Sequence, residues 1–458
     1  MARIRILFCM LVVSMLLTGC GKRIEQPPFP APPVVEDFSR YPQNLMDYAS
    51  RLALPEAPLL TEAEQKAQTK RYLQRFFAAW DMRKASVPRA EAFADLNAHL
   101  KRGGWGANLL PVPDKRWSRV RSLSNMNAYP SMAQPAIITA NTSLRMAPDE
   151  QPFFRDPDKA GEGYPFDYFQ YSALWAGMPV LVVHTSSDGE WVLCESPVAL
   201  GWVRTRDVAF VNDKFMKAYK TDDYAAILQD NTPLRGGDGT WYGKGHIGAV
   251  FPVSEATQQG LVLRVPVRGA DGGAGIREVT VEYAHAARMP LPVSAAAIAM
   301  VGNTMLQQPY GWGGFLENRD CSATLRDLFT PFGIWLPRNS SVQARAGQLV
   351  DLMPYKPEKR EAVILQQGRP FFSFIWMRGH IGLYLGAMDD GEGHSVPLMF
   401  HNVWGVRTGG KGRTPEGRLI VGRAVVSSLH VGEEYPDVQE NWMLERIRGL
   451  TLLPPVVQ

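Results

Sequence analysis

The spacing of apolar positions changes character along this chain, and each change predicts a different kind of element. Ile6 to Leu17 is an apolar run behind Arg3 and Arg5. At about a dozen residues it falls short of the roughly 20 that a membrane-spanning helix needs, and its layout is that of a signal peptide. Gln26 to Pro33, QPPFPAPP, reads as a semi-rigid extended spacer. From Asp37 to about Ser131 the period is mostly helical. Thr61-Glu62-Ala63-Glu64 is a capping box, and it opens a helix whose apolar stripe is Tyr72, Leu73, Phe76, Phe77 and Trp80. Such a stripe is expected to pack against the rest of the chain rather than bind a ligand. A second helix, about Ala90 to Leu100, stops at Gly103-Gly104. No chemistry is visible in this helical region, so a stabilising or spacing role is expected of it.

From about Ala136 to Val211 the pattern turns to short strands, among them Val180 to His184, Glu190 to Cys194 and Leu200 to Arg204, broken by turn signals such as Ser187-Asp188-Gly189. A second such stretch runs from about Tyr219 to Tyr283. Thr142-Ser143-Leu144-Arg145 in the first recurs as Thr232-Pro233-Leu234-Arg235 in the second, which predicts a tandem repeat of small barrels. Gly236 to Gly245 lacks the Gly-Lys-Ser/Thr of a phosphate loop and reads as a hairpin turn. After Pro290 and Pro292 a helix is expected at Ser294 to Gln307. Ala323, Leu325, Leu328 and Phe329 then predict a helix that Pro331 and Gly333 stop. In Phe371 to Gly386, alternation puts His380, Gly382, Tyr384 and Gly386 on one strand face and Ile381, Leu383 and Leu385 on the other. Leu398 to Trp404 is a further strand, with His401 on the face of Met399 and Val403.

Composition alters this picture little. A formal net charge of +4 leaves no footprint of nucleic-acid binding, and none is expected as a partner. Once the signal region is removed the cysteines are Cys20, Cys194 and Cys321, and a chain of this size needs no disulfide framework. Cys194 sits in an apolar strand-like run and reads as a buried core thiol. The histidines show no metal-ligand spacing, so neither a metal nor another cofactor is expected.

The candidate chemistry lies at Asp320-Cys321-Ser322. Asp320 is a good N-cap, which puts Cys321 in the first helical turn, where the helix dipole and free N–H groups favour a thiolate. Gly311-Trp312-Gly313-Gly314 lets backbone pass close to the sulfur. A cysteine followed by a histidine, His380, and then a polar orienting group, His401, on adjacent strands is an order found in thiol hydrolases.

These pieces carry a resemblance. Tyr310-Gly311-Trp312-Gly313-Gly314, Asp320-Cys321-Ser322, Leu336-Pro337-Arg338 with Ser340 and Gln343, Gly379-His380-Ile381-Gly382 with Tyr384-Leu385-Gly386, and the strand bearing His401 resemble the NlpC/p60 family of cell-wall cysteine peptidases. The resemblance covers the C-terminal third and implies a papain-like α+β fold. It implies Cys321 as nucleophile, His380 as general base and His401 as the group orienting it. It further implies Tyr310 near the oxyanion, and Asp320, Ser322 and Ser340 against substrate. Two positions depart from the family pattern. Ala323 stands where a glycine is usual, and Gly368-Arg369-Pro370, after a helical-looking Glu358 to Gln367, replaces the usual Gly-Asp.

The paired β stretches resemble the bacterial SH3 (SH3b) domains that often precede this peptidase. In relatives the first of them lines the cleft and limits it to stem peptides with a free N-terminal L-alanine. The loop from Asp149 to Tyr171 would serve here, with Asp167 and Tyr168 as contacts for the substrate amine, a carboxylate beside a phenol suiting an ammonium. Tyr168 and Phe169 read equally well as barrel core. Leu17-Thr18-Gly19-Cys20 resembles a bacterial lipobox, which implies lipidation of Cys20, and Gly21 favours the outer membrane, facing the periplasm.

The expected architecture is multidomain α+β. It comprises a signal peptide (1–19), a proline-rich tether (20–36), a helical N-terminal domain (37–135), SH3-like β-barrels (136–213 and 214–288) and a papain-like peptidase (289–458). The expected function is a monomeric, lipid-anchored endopeptidase cutting the γ-D-glutamyl–diaminopimelate bond of peptidoglycan stem peptides. A non-catalytic peptidoglycan-binding lipoprotein and a thiol acyltransferase are the alternatives.

Overall fold

The helix Glu62–Asp81 carries its capping box as read: Thr61 accepts from the Glu64 amide and Glu64 reaches back to the Thr61 amide. Its stripe of Tyr72, Phe76, Phe77 and Trp80 is buried against the first barrel, where the Trp80 indole donates to the Ala136 carbonyl at 2.7 Å. That face is a packing surface. The structure, a computed structural model, describes residues 35–409 and 415–454. The signal peptide, the Cys20 lipidation site and the tether up to residue 34 lie outside the described residues. No helix among the described residues is long and apolar enough to cross a membrane.

The helical N-terminal region is divided between neighbours. Leu45–Ala49 packs into the peptidase core beside Leu325 and Leu328, and its first amide donates to Asn303. Ala94–Arg102 and Asp114–Leu123 instead lay Leu96, Trp117 and Val120 on the first barrel, against Phe153, Phe169 and Leu193.

The first barrel is an antiparallel sheet that runs from Gln134–Ile138 to Val208–Phe210. Cys194 is wholly buried in its core. The second barrel combines a five-stranded sheet with a separate hairpin, Thr232–Arg235 and Trp241–Gly245, which is the turn read from its glycines. The recurring strand motif occupies Thr142–Arg145 in the first barrel and Thr232–Arg235 in the second, with Leu144 and Leu234 both fully buried.

The C-terminal region is a six-stranded antiparallel sheet. Its spatial order is Gln348–Asp351, Ile447–Leu452, Ser373–Met377, His380–Asp389, Ser395–Thr408 and Gly417–Ser428. The alternating run around His380 is therefore a hairpin that turns at Gly379 (φ +82°). The helix Cys321–Phe329 lies across the strands His380–Asp389 and Ser395–Thr408, with Leu325, Leu328 and Phe329 buried against Leu383, Leu398 and Phe400.

Candidate active site

Asp320 caps the helix Cys321–Phe329 by accepting the Ala323 amide at 2.9 Å. Its other oxygen accepts the Gly313 amide at 3.0 Å, and Arg338 pairs with both oxygens. Burial alone would raise this carboxyl, but the Arg338 guanidinium outweighs it and holds Asp320 below the usual carboxylate range. The glycines of the lead-in answer to contact as well as to conformation. Gly313 and Gly314 sit at φ +64° and +84°, and a Cβ on either would come within 2.3 Å of backbone atoms of the first barrel, at Gln170 and Ala173. The loop that delivers Cys321 is thus pressed onto the barrel.

Cys321 is 7% exposed, and the Ile381 amide, one residue past His380, donates to its sulfur. The thiolate expected at a helix start does not prevail. Burial, with the Asp320 charge beside it, pushes the thiol up to about 12. From His380, the residue before that amide, runs a chain of hydrogen bonds. His380 Nε2 lies 2.7 Å from His401 Nδ1, His401 Nε2 lies 3.0 Å from Ser427 Oγ, and that hydroxyl donates to the Ser428 carbonyl. A serine has a single proton to give. Ser427 therefore accepts from His401 Nε2–H, His401 Nδ1 accepts from His380 Nε2–H, and the bare nitrogen of His380 is Nδ1. Burial lowers His380 to about 4, with Arg446 adding to the effect, and it holds His401 well below the ordinary histidine value, helped by His380. Both rings are neutral at neutral pH. Gly382 makes the pairing possible, since a Cβ there would meet the His401 side chain at 2.9 Å and Met399 at 2.5 Å.

Thiol and imidazole thus form a neutral pair at rest, and no hydrogen bond joins them among the described residues. In empty sites such contacts are often long and tighten around substrate. Tyr310 also stands at the sulfur. Burial, with Asp320 and Cys321 nearby, holds its hydroxyl well above the ordinary phenol value, so it remains a proton donor. Gln343, fully buried, donates to the Ser322 and Pro337 carbonyls at 2.8 and 2.7 Å and so ties the helix start to the segment carrying Ser340.

The sulfur opens into a cavity of about 420 Å³. The C-terminal region lines it with Tyr310, Trp312, Asp320, Cys321, Ser322 and Ser340, and with Gly379 at the turn before His380, while the His380 and His401 rings are not part of the lining. The first barrel supplies Met146, Arg155, Tyr168, Gln170 and Tyr171. The helical region adds Asp95 and His99, although it showed no chemistry as sequence.

Asp167 does not belong to this cavity, contrary to its expected role at the substrate amine. It is wholly buried, ion-paired with Arg145 at 3.0 Å, and accepts the Phe153 and Phe169 amides at 2.9 Å. Those partners occupy the carboxylate, which braces the loop. Tyr168 does line the cavity, whereas Phe169 is core. Besides Asp320, the carboxylate lining the cavity is Asp95, which accepts the Tyr171 hydroxyl at 2.9 Å across 76 residues of sequence. No local pattern in the sequence could pair them.

Arg319 was also missed. It is 3% exposed and joins Asp327 of the Cys321 helix at 2.7 Å to Asp230 of the second barrel. Trp175 of the first barrel donates to the same Asp327 and stacks on His246, itself bonded to Asp230. Among the described residues, metal-type ligand atoms converge only at Asp390, Glu392 and His394, on an exposed turn outside the cavity.

Family models match the chain in order: the NLPC_P60 stabilising domain at residues 8–129, an SH3 domain of SH3b1 type at 152–204, an SH3 domain of SH3b2 type at 212–258 and the NlpC/P60 family at 307–402. Among solved structures, an NlpC/P60 endopeptidase from Photobacterium damselae subsp. piscicida is similar at 25% identity and a TM-score of 0.80, over 90% of this chain and 97% of that one. An NlpC/P60 family protein from Bacillus cereus is similar at 16% identity and a TM-score of 0.46, over 70% of this chain and 100% of that one. The peptidoglycan hydrolase RipB from Mycobacterium tuberculosis matches at 16% identity and a TM-score of 0.18, over 34% of this chain and 62% of that one. No curated protein matches the chain.

Proposed function

On the premise that the chain carries an NlpC/P60 cysteine-peptidase domain behind a stabilising domain and tandem SH3b domains, we propose that it is a γ-D-glutamyl–diaminopimelate endopeptidase acting on stem peptides with a free N-terminal L-alanine. The observation that carries this reading is the Asp95–Tyr171 pair in the same cavity as Cys321. A carboxylate already bonded to a phenol suits a ligand ammonium, and a neutral or acylated terminus would leave it without a cation.

In the proposed mechanism His380 Nδ1 takes the Cys321 proton as the sulfur adds to the γ-carbonyl of the D-glutamyl residue. His401 Nδ1 accepts from the resulting imidazolium and steadies its charge. Tyr310 and amides at the helix start hold the oxyanion. The imidazolium then passes its proton to the departing diaminopimelate amine, leaving a thioester on Cys321. Water, deprotonated by His380, releases the dipeptide and restores the thiol. Asp320, Ser322 and Ser340 would hold the peptide backbone against the cavity wall.

We further propose that the mature chain is monomeric and anchored at Cys20 to the outer membrane, with the proline-rich tether holding it off the surface. Loss of labelled-palmitate incorporation in Cys20→Ser checks the anchor. For the activity, purified protein is incubated with L-Ala-γ-D-Glu-diaminopimelate and with its N-acetylated form, and the products are weighed by mass spectrometry. Cleavage of the first and sparing of the second is expected, with all turnover lost in Cys321→Ala. An intact free-amine peptide, or turnover surviving that substitution, would overturn the reading.

A further inference from the structure

A sheet ends in a strand whose outer N–H and C=O groups have no ladder to join, and where that edge is buried something else must match them. In the C-terminal sheet the strand Gly417–Ser428 is such an end. Two stretches of chain meet its outward groups. The lead-in to Cys321 takes the first part. The Tyr310 amide donates to the Gly422 carbonyl at 2.8 Å, the Gln307 amide to the Ala424 carbonyl at 2.9 Å, and the Ala424 amide to the Gln308 carbonyl at 3.0 Å. The second part is covered from the other end of the sequence. The Gln43 side chain accepts the Val426 amide and donates to the Val426 carbonyl, both at 2.9 Å, and Asp37 accepts the Ser428 amide at 2.6 Å. These two residues belong to a strap, 35–43, that Val35 and Tyr41 fasten by burying their side chains in the core.

Between Val426 and Ser428 stands Ser427, whose hydroxyl accepts from His401 Nε2–H. A peptide unit is planar, so the Val426 carbonyl shares a plane with the Ser427 nitrogen, and the Ser428 amide shares one with the Ser427 carbonyl. Gln43 therefore grips the plane before the Ser427 Cα, and Asp37 grips the plane after it. Those planes set the direction in which the Ser427 side chain leaves the backbone.

We infer that Asp37 and Gln43 are positioning residues of the relay, holding Ser427 from outside the sheet so that its hydroxyl accepts from His401 Nε2–H and leaves Nδ1 bare for His380. The inference rests on the proposed activity for its rate measurements, whereas the tautomer is a property of the resting protein. Neither residue lines the cavity. If Ser427 swings away, His401 is free to carry its proton on Nδ1, and His380 Nε2–H then faces a donor in place of an acceptor. The imidazolium that forms as Cys321 loses its proton is left unsupported. The loss falls on kcat, because the groups on the cavity wall are untouched. The strap, 383 residues before Val426 and 391 before Ser428, is in this way part of the catalytic apparatus.

The test uses the full chain carrying isotope-labelled histidine, whose ring-nitrogen NMR shifts separate a protonated nitrogen from a bare one. In the wild type at neutral pH, His401 is expected to be protonated on Nε2 and bare on Nδ1. Asp37→Ala and Gln43→Ala should each mix the two forms. With L-Ala-γ-D-Glu-diaminopimelate as substrate, each should lower kcat roughly tenfold and leave KM within about twofold, the scale of one hydrogen bond withdrawn from a buried network. Asp37→Asn keeps an oxygen for the Ser428 amide and should recover most of the rate. In a Ser427→Ala background the hydroxyl is already gone, so adding Asp37→Ala should cost less than about twofold more. A wild-type tautomer retained in both alanine variants would overturn the inference, as would the full cost of Asp37→Ala persisting in the Ser427→Ala background. Gln43→Ala decides where Asp37→Ala does not fold, which circular dichroism reports. A wild type that leaves the tripeptide uncut would bring down the endopeptidase reading, and the ring nitrogens would still decide the role of the strap.

Discussion

In the first barrel Arg145 turns inward to Asp167 and stiffens a long loop whose Arg155, Tyr168 and Tyr171 reach the cleft. In the second barrel the matching Arg235 lies out over the Trp241 ring, and no residue of that barrel lines the cavity. The second barrel instead gives Asp230 and His246 to the buried clamp on Arg319, one residue before the cap of the Cys321 helix. One strand motif thus stands in two kinds of neighbour. A barrel that frames a site needs an inserted loop whose side chains stay partly open to ligand. A barrel that clamps needs charges desolvated against the opposite charge, where position counts and access does not.

The comparison can be broken most sharply at Arg319. Arg319→Met leaves Asp230 and Asp327 buried without their cation and should cost about 3–5 kcal/mol of stability, read by chemical denaturation. An unchanged midpoint would remove the clamp from the second barrel's role. On the other side, Asp95→Asn should lower kcat/KM for the free-amine tripeptide by an amount worth about 1.5–3 kcal/mol. Its thermal midpoint should stay near wild type, since exposed substitutions usually fall within about 0.5 kcal/mol. A variant that lost stability and kept its selectivity would make Asp95 a strut.

A third measurement bears on the first barrel as a cover for the site. If that cover is what desolvates the relay, the acidic limb of kcat/KM lies near pH 4, the lowered value of His380, because activity needs that ring neutral and falls only as pH drops through it. A limb at the ordinary histidine value of about 6.5 would mean an open, wet site. The smallest effect is a control in neither barrel. His430, bonded to Glu361 and Glu433, is raised to about 10. Its contribution is present in full below the unfolded histidine value of about 6.5 and is lost as pH rises through the folded one. The melting-temperature gap between wild type and His430→Gln should narrow from pH 6 to pH 10, without any change in peptide selectivity.

Much of the site was legible along the chain because its parts are local. A cap and the amide it accepts stand three residues apart, as Asp320 and Ala323 do, and alternation alone placed His380 and His401 on strands. Tertiary structure decided the rest, for reasons of burial and distance. Asp167 and Asp95 are both acidic residues near aromatics, and only packing turned one into a brace and put the other on the cavity wall. The same burial reversed the expected charge of Cys321, because desolvation outweighs what a helix start offers an anion. The protonated nitrogens of His380 and His401 follow from the single proton of Ser427, 26 residues beyond His401. Arg319 and Asp230 are 89 residues apart. Sequence periodicity reports which face a side chain takes, and says nothing of which distant charge will be waiting there.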